Sequence, residues 1–595
     1  MKKGKYYAVP LHMHSCFEGH ASMRGHMAQA HKLGIEYMWI TDHDFLMGKS
    51  INWVSGFSFA DGLLEKVENP SVTEKKMQDM YQLFMPFGTT LDEEKRSKMD
   101  EALLNNLRNV KRFQLKDNEI NCKISIEDMT KDHKGMKVTA AAGENSEWQK
   151  STIYFVSTGS KVQHSYKCSL LSDLTIRFPL MVKSSLDEDV RICFYGRLSQ
   201  QYPDFNEAGI RYVIGETVKA EDNLIAEVPV NFVNGEKIVL HVSEDAEKYV
   251  KGGLDNSLWQ FWIEIELRNG KELEAYFGDF EVERVYEYEA VAKRQRALAA
   301  EIGKEFGVTP IVTNEITAAG QHKISFSTKV PVIDYSDGPK DHDYAVAWVK
   351  EHGGIFALNH PFFDWMRVPV KKEDRAVIVE NIAKHYIKHD CWGATMMEVG
   401  FPCGRHNFSH FEHLALWDKL SEVGIFISGY GSSDNHDNVL GWFEGNNFCA
   451  FIYSENPGEE SFIEAMKCGN LYTGDPVRFK GKLSFETVEG ANMGQVVEFT
   501  SEECEKTVCL KIADAPEHAK LVWVINGIRQ DGIPTGSYVQ EKLRVPMSKD
   551  INFVRAEIYA EDGKCIMLTN PIYFVKKGSA EIPAERKVVD KEAKS

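Results

Sequence analysis

Two histidines one residue apart, at the end of a short apolar run, constrain this chain more than any other feature. The run Tyr6 to Leu11 reads as a strand, and His12 and His14 close it in L-H-M-H-S. On a strand, residues i and i+2 face one side, so the two imidazoles point together, as two ligands of one ion must. A helical stretch, Ser22 to Leu33, and a second strand, Glu36 to Thr41, come next, and that strand ends in Asp42-His43-Asp44. Histidines at the ends of successive strands in a strand–helix–strand unit converge on one mouth of a parallel sheet or barrel.

Candidate ligands recur at strand ends far downstream. Glu315 closes V-T-P-I-V-T-N-E, His322 opens the next strand, His360 closes G-G-I-F-A-L-N-H-P, and Asp434 and His436 lie in G-Y-G-S-S-D-N-H-D. With His20, in the loop after the first pair, the set is His12, His14, His20, His43, Glu315, His322, His360, Asp434 and His436. Seven imidazoles and two carboxylates exceed what one ion holds, and a carboxylate can bridge, so two or three divalent ions fit. Imidazole-rich mixed sites suit zinc, manganese or iron rather than calcium or magnesium. Glu18 is the alternative to His20 as the loop ligand. Asp44 and Asp437 read as groups that orient an imidazole through its second nitrogen.

Between these motifs the rhythm changes. At 595 residues the chain has room for about three or four domains. From about 117 to 284, short alternating runs separated by Gly, Asn and Asp read as a jelly-roll-like β-sandwich inserted into the α/β unit. Strand–helix repeats resume at Tyr286 and predict a parallel β/α barrel. From about 480 the alternation returns as an Ig-like sandwich. The expected division is a barrel split over 1–50 and 286–480, a helical connector 51–116, the inserted sandwich 117–285, the Ig-like unit 481–577 and a disordered tail 578–595.

Composition narrows the function classes. The formal net charge is -18, against the broad basic surface that nucleic acid requires. No run of about 18 apolar residues suggests a membrane span. The N-terminus M-K-K-G-K has no apolar core of a signal peptide, and the 11 scattered cysteines read as reduced thiols, so the expected location is cytoplasmic.

The ordered set H-x-H, a loop ligand, T-D-H, a Glu followed by a His, H-P and S-D-x-H resembles the PHP (polymerase and histidinol phosphatase) family of metal-dependent phosphoesterases. The resemblance covers residues 6 to 44 and about 286 to 475. The split barrel, Y-T-G-D-P and T-N-P-I-Y resemble its carbaryl-hydrolase-like branch. It implies a distorted seven-stranded TIM-like (β/α) barrel with a trinuclear centre. Carried over, His12, His14, Glu315 and Asp434 would hold one metal. Glu315, His322 and His360 would hold a second, and His20, His43 and His436 a third. The implied activity is a metal-dependent hydrolase, with Glu315, Asp434 and His436 at the chemistry and a small anionic or ester substrate. Phosphoester hydrolysis leads; carbamate or carboxylic ester hydrolysis is the alternative on the same site. No G-x-S-x-G elbow offers a serine nucleophile.

Arg24, Arg405 and His406 are candidates to grip an anionic substrate. His26, His31, His241, His385, His389 and His518 have no strand-end placement and read as ordinary histidines. In L-W-Q-F-W-I-E-I-E-L, Trp262 falls on the polar face of a strand, open either to stacking on a sugar or to packing. A glycan-binding protein without catalysis is the reading of another class.

Overall fold

The computed structural model describes residues 4–17, 21–44, 55–57, 113–116, 118–155, 174–201, 206–217, 224–256, 258, 260–284, 288–317, 321–333, 340–362, 370–400, 408–436 and 448–588. The protein is mixed α/β and rich in sheet, with sandwich-like layers beside a smaller strand–helix portion.

The N-terminal unit forms as its pattern requires. Lys5–Val9 is a strand, Met23–Lys32 a helix whose N-cap Ser22 accepts from the Gly25 N–H, and Tyr37–Ile40 a second strand. Backbone bonds from Trp39 to Pro10 and from Thr41 to Met13 lay the second strand along the continuation of the first. Thr309–Val312 pairs parallel with Tyr37–Ile40. Asn314–Ile316 then leads a five-stranded sheet through Lys323–Ser325, Phe356–Leu358, Met396–Gly400 and Ser428–Gly431. The pairings return to their start through a parallel bridge between Met13 and Asn435.

This portion departs from the expected all-parallel repeat. Asn314–Ile316 and Lys323–Ser325 pair antiparallel, as do Lys323–Ser325 and Phe356–Leu358. The stretch from Thr317 to His322 is too short for a crossover, which needs a dozen or more residues. Within this five-stranded sheet the steps from Phe356–Leu358 through Met396–Gly400 to Ser428–Gly431 are parallel.

Between these halves, strands from Ser55 to Arg284 form a six-stranded and a seven-stranded sheet. Leu174–Val182 alternates buried and half-buried along its whole length, as a strand with one face on a core must. Phe178, Phe194, Ile263, Ile265 and Phe277 belong to one buried apolar cluster. Two pieces of the expected helical connector are strands instead: Ser55–Phe57 pairs with Phe280–Arg284, and Phe113–Lys116 pairs with Gln149–Phe155. Residues 58–112, with the helices expected there, lie outside the described residues.

The boundary expected near residue 480 is not a break in hydrogen bonding. One ten-stranded sheet runs from Lys5–Val9 through Cys449–Ser454 and Leu471–Gly474 to Cys565–Thr569 and Ile551–Tyr559. Asn570 adds bonds to both the N–H and the carbonyl of Gly429. The first part of the expected disordered tail is docked: Arg586 is buried, donating to the Gly494 carbonyl at 3.2 Å and to Ser428 Oγ at 2.7 Å. Ala580 and Ile582 pack against the buried apolar cluster that includes Phe426 and Tyr573. A buried guanidinium with fixed acceptors and an apolar face under the chain outweigh the charged composition that suggested disorder. Among the described residues no helix is long and apolar enough to cross a membrane.

Candidate metal centre

His12 and His14 project from the end of the first strand with their ring centroids 4.9 Å apart, and both are fully buried. The T-D-H motif fixes the loop that carries them. Thr41 Oγ1 accepts from the Met13 N–H, and Asp42 accepts from the N–H and hydroxyl of Ser15 at 2.6 Å each. Gln295, on the helix Tyr288–Phe306, also donates to Asp42. His43 forms a bridge with Glu315, so the inserted stretch leaves these two residues side by side.

Glu315 is the centre of the cluster. Its Oε2 lies 3.4 Å from His12 Nε2, 3.7 Å from His14 Nε2 and 3.0 Å from His43 Nε2. Its Oε1 lies 3.3 Å from His322 Nδ1 and 3.0 Å from His360 Nε2, and accepts from Asn359 Nδ2 at 2.8 Å. Asp434 Oδ1 is 2.9 Å from His14 Nε2, 3.4 Å from His12 Nε2 and 3.5 Å from His436 Nδ1. All the described members of the expected ligand set therefore meet. His20 lies outside the described residues, as do Glu18, Asp437, Arg405 and His406.

Four overlapping groups have ligand atoms within 4.8 Å of one another: His12–Glu315–His360, His12–His14–Asp434, His43–Glu315–His322 and His14–His43–His436. His12 Nε2 and Glu315 Oε2 are buried and make no hydrogen bond, although they face each other. A buried lone pair opposite a buried carboxylate oxygen is costly in a protein and suits a cation. Nitrogen and carboxylate donors in this ratio match zinc, manganese or iron.

Burial alone would raise the Glu315 carboxyl, but the imidazoles of His12, His322 and His43 hold it well below the ordinary carboxylate range. Burial opposes Asp434 in the same way, and His436 and His12 hold it well below its usual value. Burial pushes His322 down to about 4 against the pull of Glu315. Against burial, Glu315 and Asp434 draw His12 upward, and Glu398 and Glu315 draw His360 well upward, so binding of an ion there would displace protons from these two imidazoles.

Two ligand candidates sit in strained backbone. His360 has φ 33° and Asp434 φ 46°, a region that non-glycine residues avoid. His360 also precedes a proline, which disfavours helical backbone further. Such strain clusters at functional sites.

Several supporting residues lacked a sequence signal. Glu398, in the fully buried strand Met396–Gly400, lies 3.2 Å from His12 Nδ1 and 2.7 Å from His360 Nδ1. His26, expected to be ordinary, is buried with Nε2 2.8 Å from the His14 carbonyl. It shares a helix face with Met23, Met27 and Ala30, the one clue to its burial. Asp44, expected from the sequence to orient an imidazole, accepts from the N–H and hydroxyl of Thr317. Arg24 is not brought to the cluster. Its guanidinium pairs with Glu305 at 2.8 Å because the first helix turns that residue toward the helix Tyr288–Phe306. Trp262 is packed: Tyr195 stacks on it at 4.3 Å, Tyr154 lies 5.3 Å away, and its N–H donates to Glu264. Its ring face is therefore covered by a neighbour.

No protein-family profile and no curated protein matches the chain. Among solved structures it is similar to carbohydrate-binding modules of the β-sandwich superfamily at 8% identity, covering 29% of this chain and 56% of that one, with a TM-score of 0.18. It is similar to an endoglucanase Cel12A from Rhodothermus marinus at 11% identity, over 29% of this chain and 97% of that one, with a TM-score of 0.19. An exo-β-agarase matches at 10% identity over 31% of this chain and 25% of that one, with a TM-score of 0.16. Likeness of this size identifies neither an activity nor a ligand.

Proposed function

We propose that the cluster around Glu315 is the polynuclear metal centre of a hydrolase that cleaves phosphate esters, carried on a distorted seven-stranded barrel of the PHP type. The observation that carries the reading is the set of four overlapping ligand groups, with Glu315 shared by two of them and His12 by two. His12, His14 and Asp434 would hold one ion, Glu315 with His322 and His360 a second, and His43 with His436 a third, Glu315 bridging between them. Bound zinc, manganese or iron supplies Lewis acidity toward an ester oxygen and toward water.

The chain's own residues set the conditions for that chemistry. His12, His14 and Glu315 are fully buried and form the floor of the cluster, where charge interactions are stronger than in water. His43 and His436 have side chains 18% and 31% exposed and form the open side, where a substrate would arrive. Glu315 and Asp434 supply fixed negative charge, and the loop brace through Asp42 and Ser15 keeps the first two imidazoles in place. Fixing these groups before substrate binds avoids reorganisation during reaction. A small anionic or ester substrate suits such a mouth, and carbamate or carboxylic ester cleavage is the alternative on the same groups.

The test is metal analysis of the purified protein, then assays of zinc- and manganese-loaded protein on phosphomonoesters, phosphodiesters, aryl esters and carbamates. Two or three ions per chain with turnover of a phosphate ester is the expected result. Failure to retain any metal after loading would overturn the reading; turnover of aryl esters or carbamates alone would favour the alternative.

A further inference from the structure

Glu398 is the buried carboxylate that touches the cluster from behind rather than from within. Its Oε1 lies 3.2 Å from His12 Nδ1 and accepts from the Ser432 hydroxyl. Its Oε2 accepts from the His360 backbone N–H at 2.7 Å and lies 2.7 Å from His360 Nδ1. An ionised carboxylate can only accept, so both facing ring nitrogens must carry their protons. With the Nδ1 proton fixed, Nε2 is the nitrogen left to bind an ion, which would displace the second proton that Nε2 otherwise holds toward Glu315. His360 Nε2 and His12 Nε2 are the atoms that face Glu315, at 3.0 and 3.4 Å.

Resting on the metal-centre reading above, we infer that Glu398 is a positioning residue that locks His12 and His360 in one tautomer and so prepares two ion positions at once. His12 belongs to two of the ligand groups and His360 to one of these. The same carboxylate also holds the His360 backbone N–H, which ties down the strained φ of 33° before Pro361. Strain of this kind persists only where surrounding bonds over-determine it.

Glu398→Gln keeps the shape but offers one acceptor and one donor group. His360 presents two N–H groups, so the amide oxygen should turn to it and the amide NH2 should face His12. His12 must then present an acceptor at Nδ1, and its Nε2 keeps the proton that blocks an ion. Partners behind a ligand typically cost 10–100-fold in metal affinity when changed.

The experiment uses full-length protein with ¹⁵N-labelled histidine, wild type and Glu398→Gln, titrated with zinc against a competing chelator. Wild type should bind zinc with His12 and His360 both protonated at Nδ1. The variant should bind about 10–100-fold more weakly, with His12 protonated at Nε2. Zinc-loaded wild type showing either histidine protonated at Nε2 would overturn this inference alone, whether or not the variant folds. A folded variant with unchanged affinity would do the same. Wild type that takes up no zinc would overturn the metal-centre reading, and this inference with it.

Discussion

At the scale of the residue, Glu315 and Asp255 show two opposite uses of a buried carboxylate. Glu315 is surrounded by imidazoles, and Glu315→Gln removes the charge while keeping the shape. The variant should lose metal and turn over at least about 100-fold more slowly, a loss comparable to removing a strong electrostatic group. His241→Gln, at an exposed histidine beside the helix Val242–Tyr249, is the comparison. Equal metal content and equal rates in the two variants would place the chemistry elsewhere. Asp255 sits in the sandwich portion but accepts from the N–H groups of Met23 and Arg24 at 2.7 and 3.0 Å, at the start of the first helix. Burial pushes its carboxyl up to about 6 from 3.8, against those two N–H groups. The folded protein therefore holds this proton more tightly than the unfolded chain does. This group subtracts stability as pH rises from about 4 through about 6, on the order of 3 kcal/mol in all. The melting temperature of Asp255→Asn minus that of wild type should accordingly climb between pH 4 and 7. A flat difference across that range would show that Asp255 does not titrate there.

At the scale of the element, joints between strands and helices are made by buried charge. Arg555, fully buried on the strand Ile551–Tyr559, pairs with Asp418 on the helix His410–Glu422 and with Glu557 on its own strand. Replacing it strands Asp418, while Glu557 keeps Arg529 at 3.1 Å. Arg555→Met should cost about 3–5 kcal/mol, the range for breaking a buried pair by removing one partner. The midpoint of urea unfolding measures it; a loss under about 1 kcal/mol, the worth of a surface pair, would show that water reaches the joint. The antiparallel turn between Glu315 and His322 was open to inference from its length alone, since so few residues cannot cross over to a parallel neighbour. The strand character of Ser55–Phe57 was not, because three residues carry no measurable period.

At the scale of the whole molecule, the ten-stranded sheet joins the N-terminal strand to the C-terminal sandwich layers. Removing residues 481–595 would leave Leu471–Gly474 without its partner Cys565–Thr569 and Gly429 without Asn570. Neither sandwich places a ligand in the described cluster, which taken alone would let a truncated chain keep its metal. The shared sheet changes that expectation. The truncated chain should be largely insoluble or quickly degraded by a protease, because an exposed central strand edge is a site of aggregation. A soluble, protease-resistant truncation would mean that the two portions fold independently.

What the sequence determined by itself was local. The period of two placed His12 and His14 on one side of a strand, alternation marked the sandwich strands, and strand ends marked Glu315, His360 and Asp434. These follow from spacing along one chain segment. Only the tertiary structure decided what stands behind each ligand. Glu398 and Asn359 look like any residues of a strand end until packing turns them onto His12, His360 and Glu315. Packing likewise drew Arg24 away to Glu305 and His26 onto the His14 carbonyl. Side-chain direction on a strand is set by the backbone, but the partner it meets is set by elements distant in sequence, and no local period encodes those.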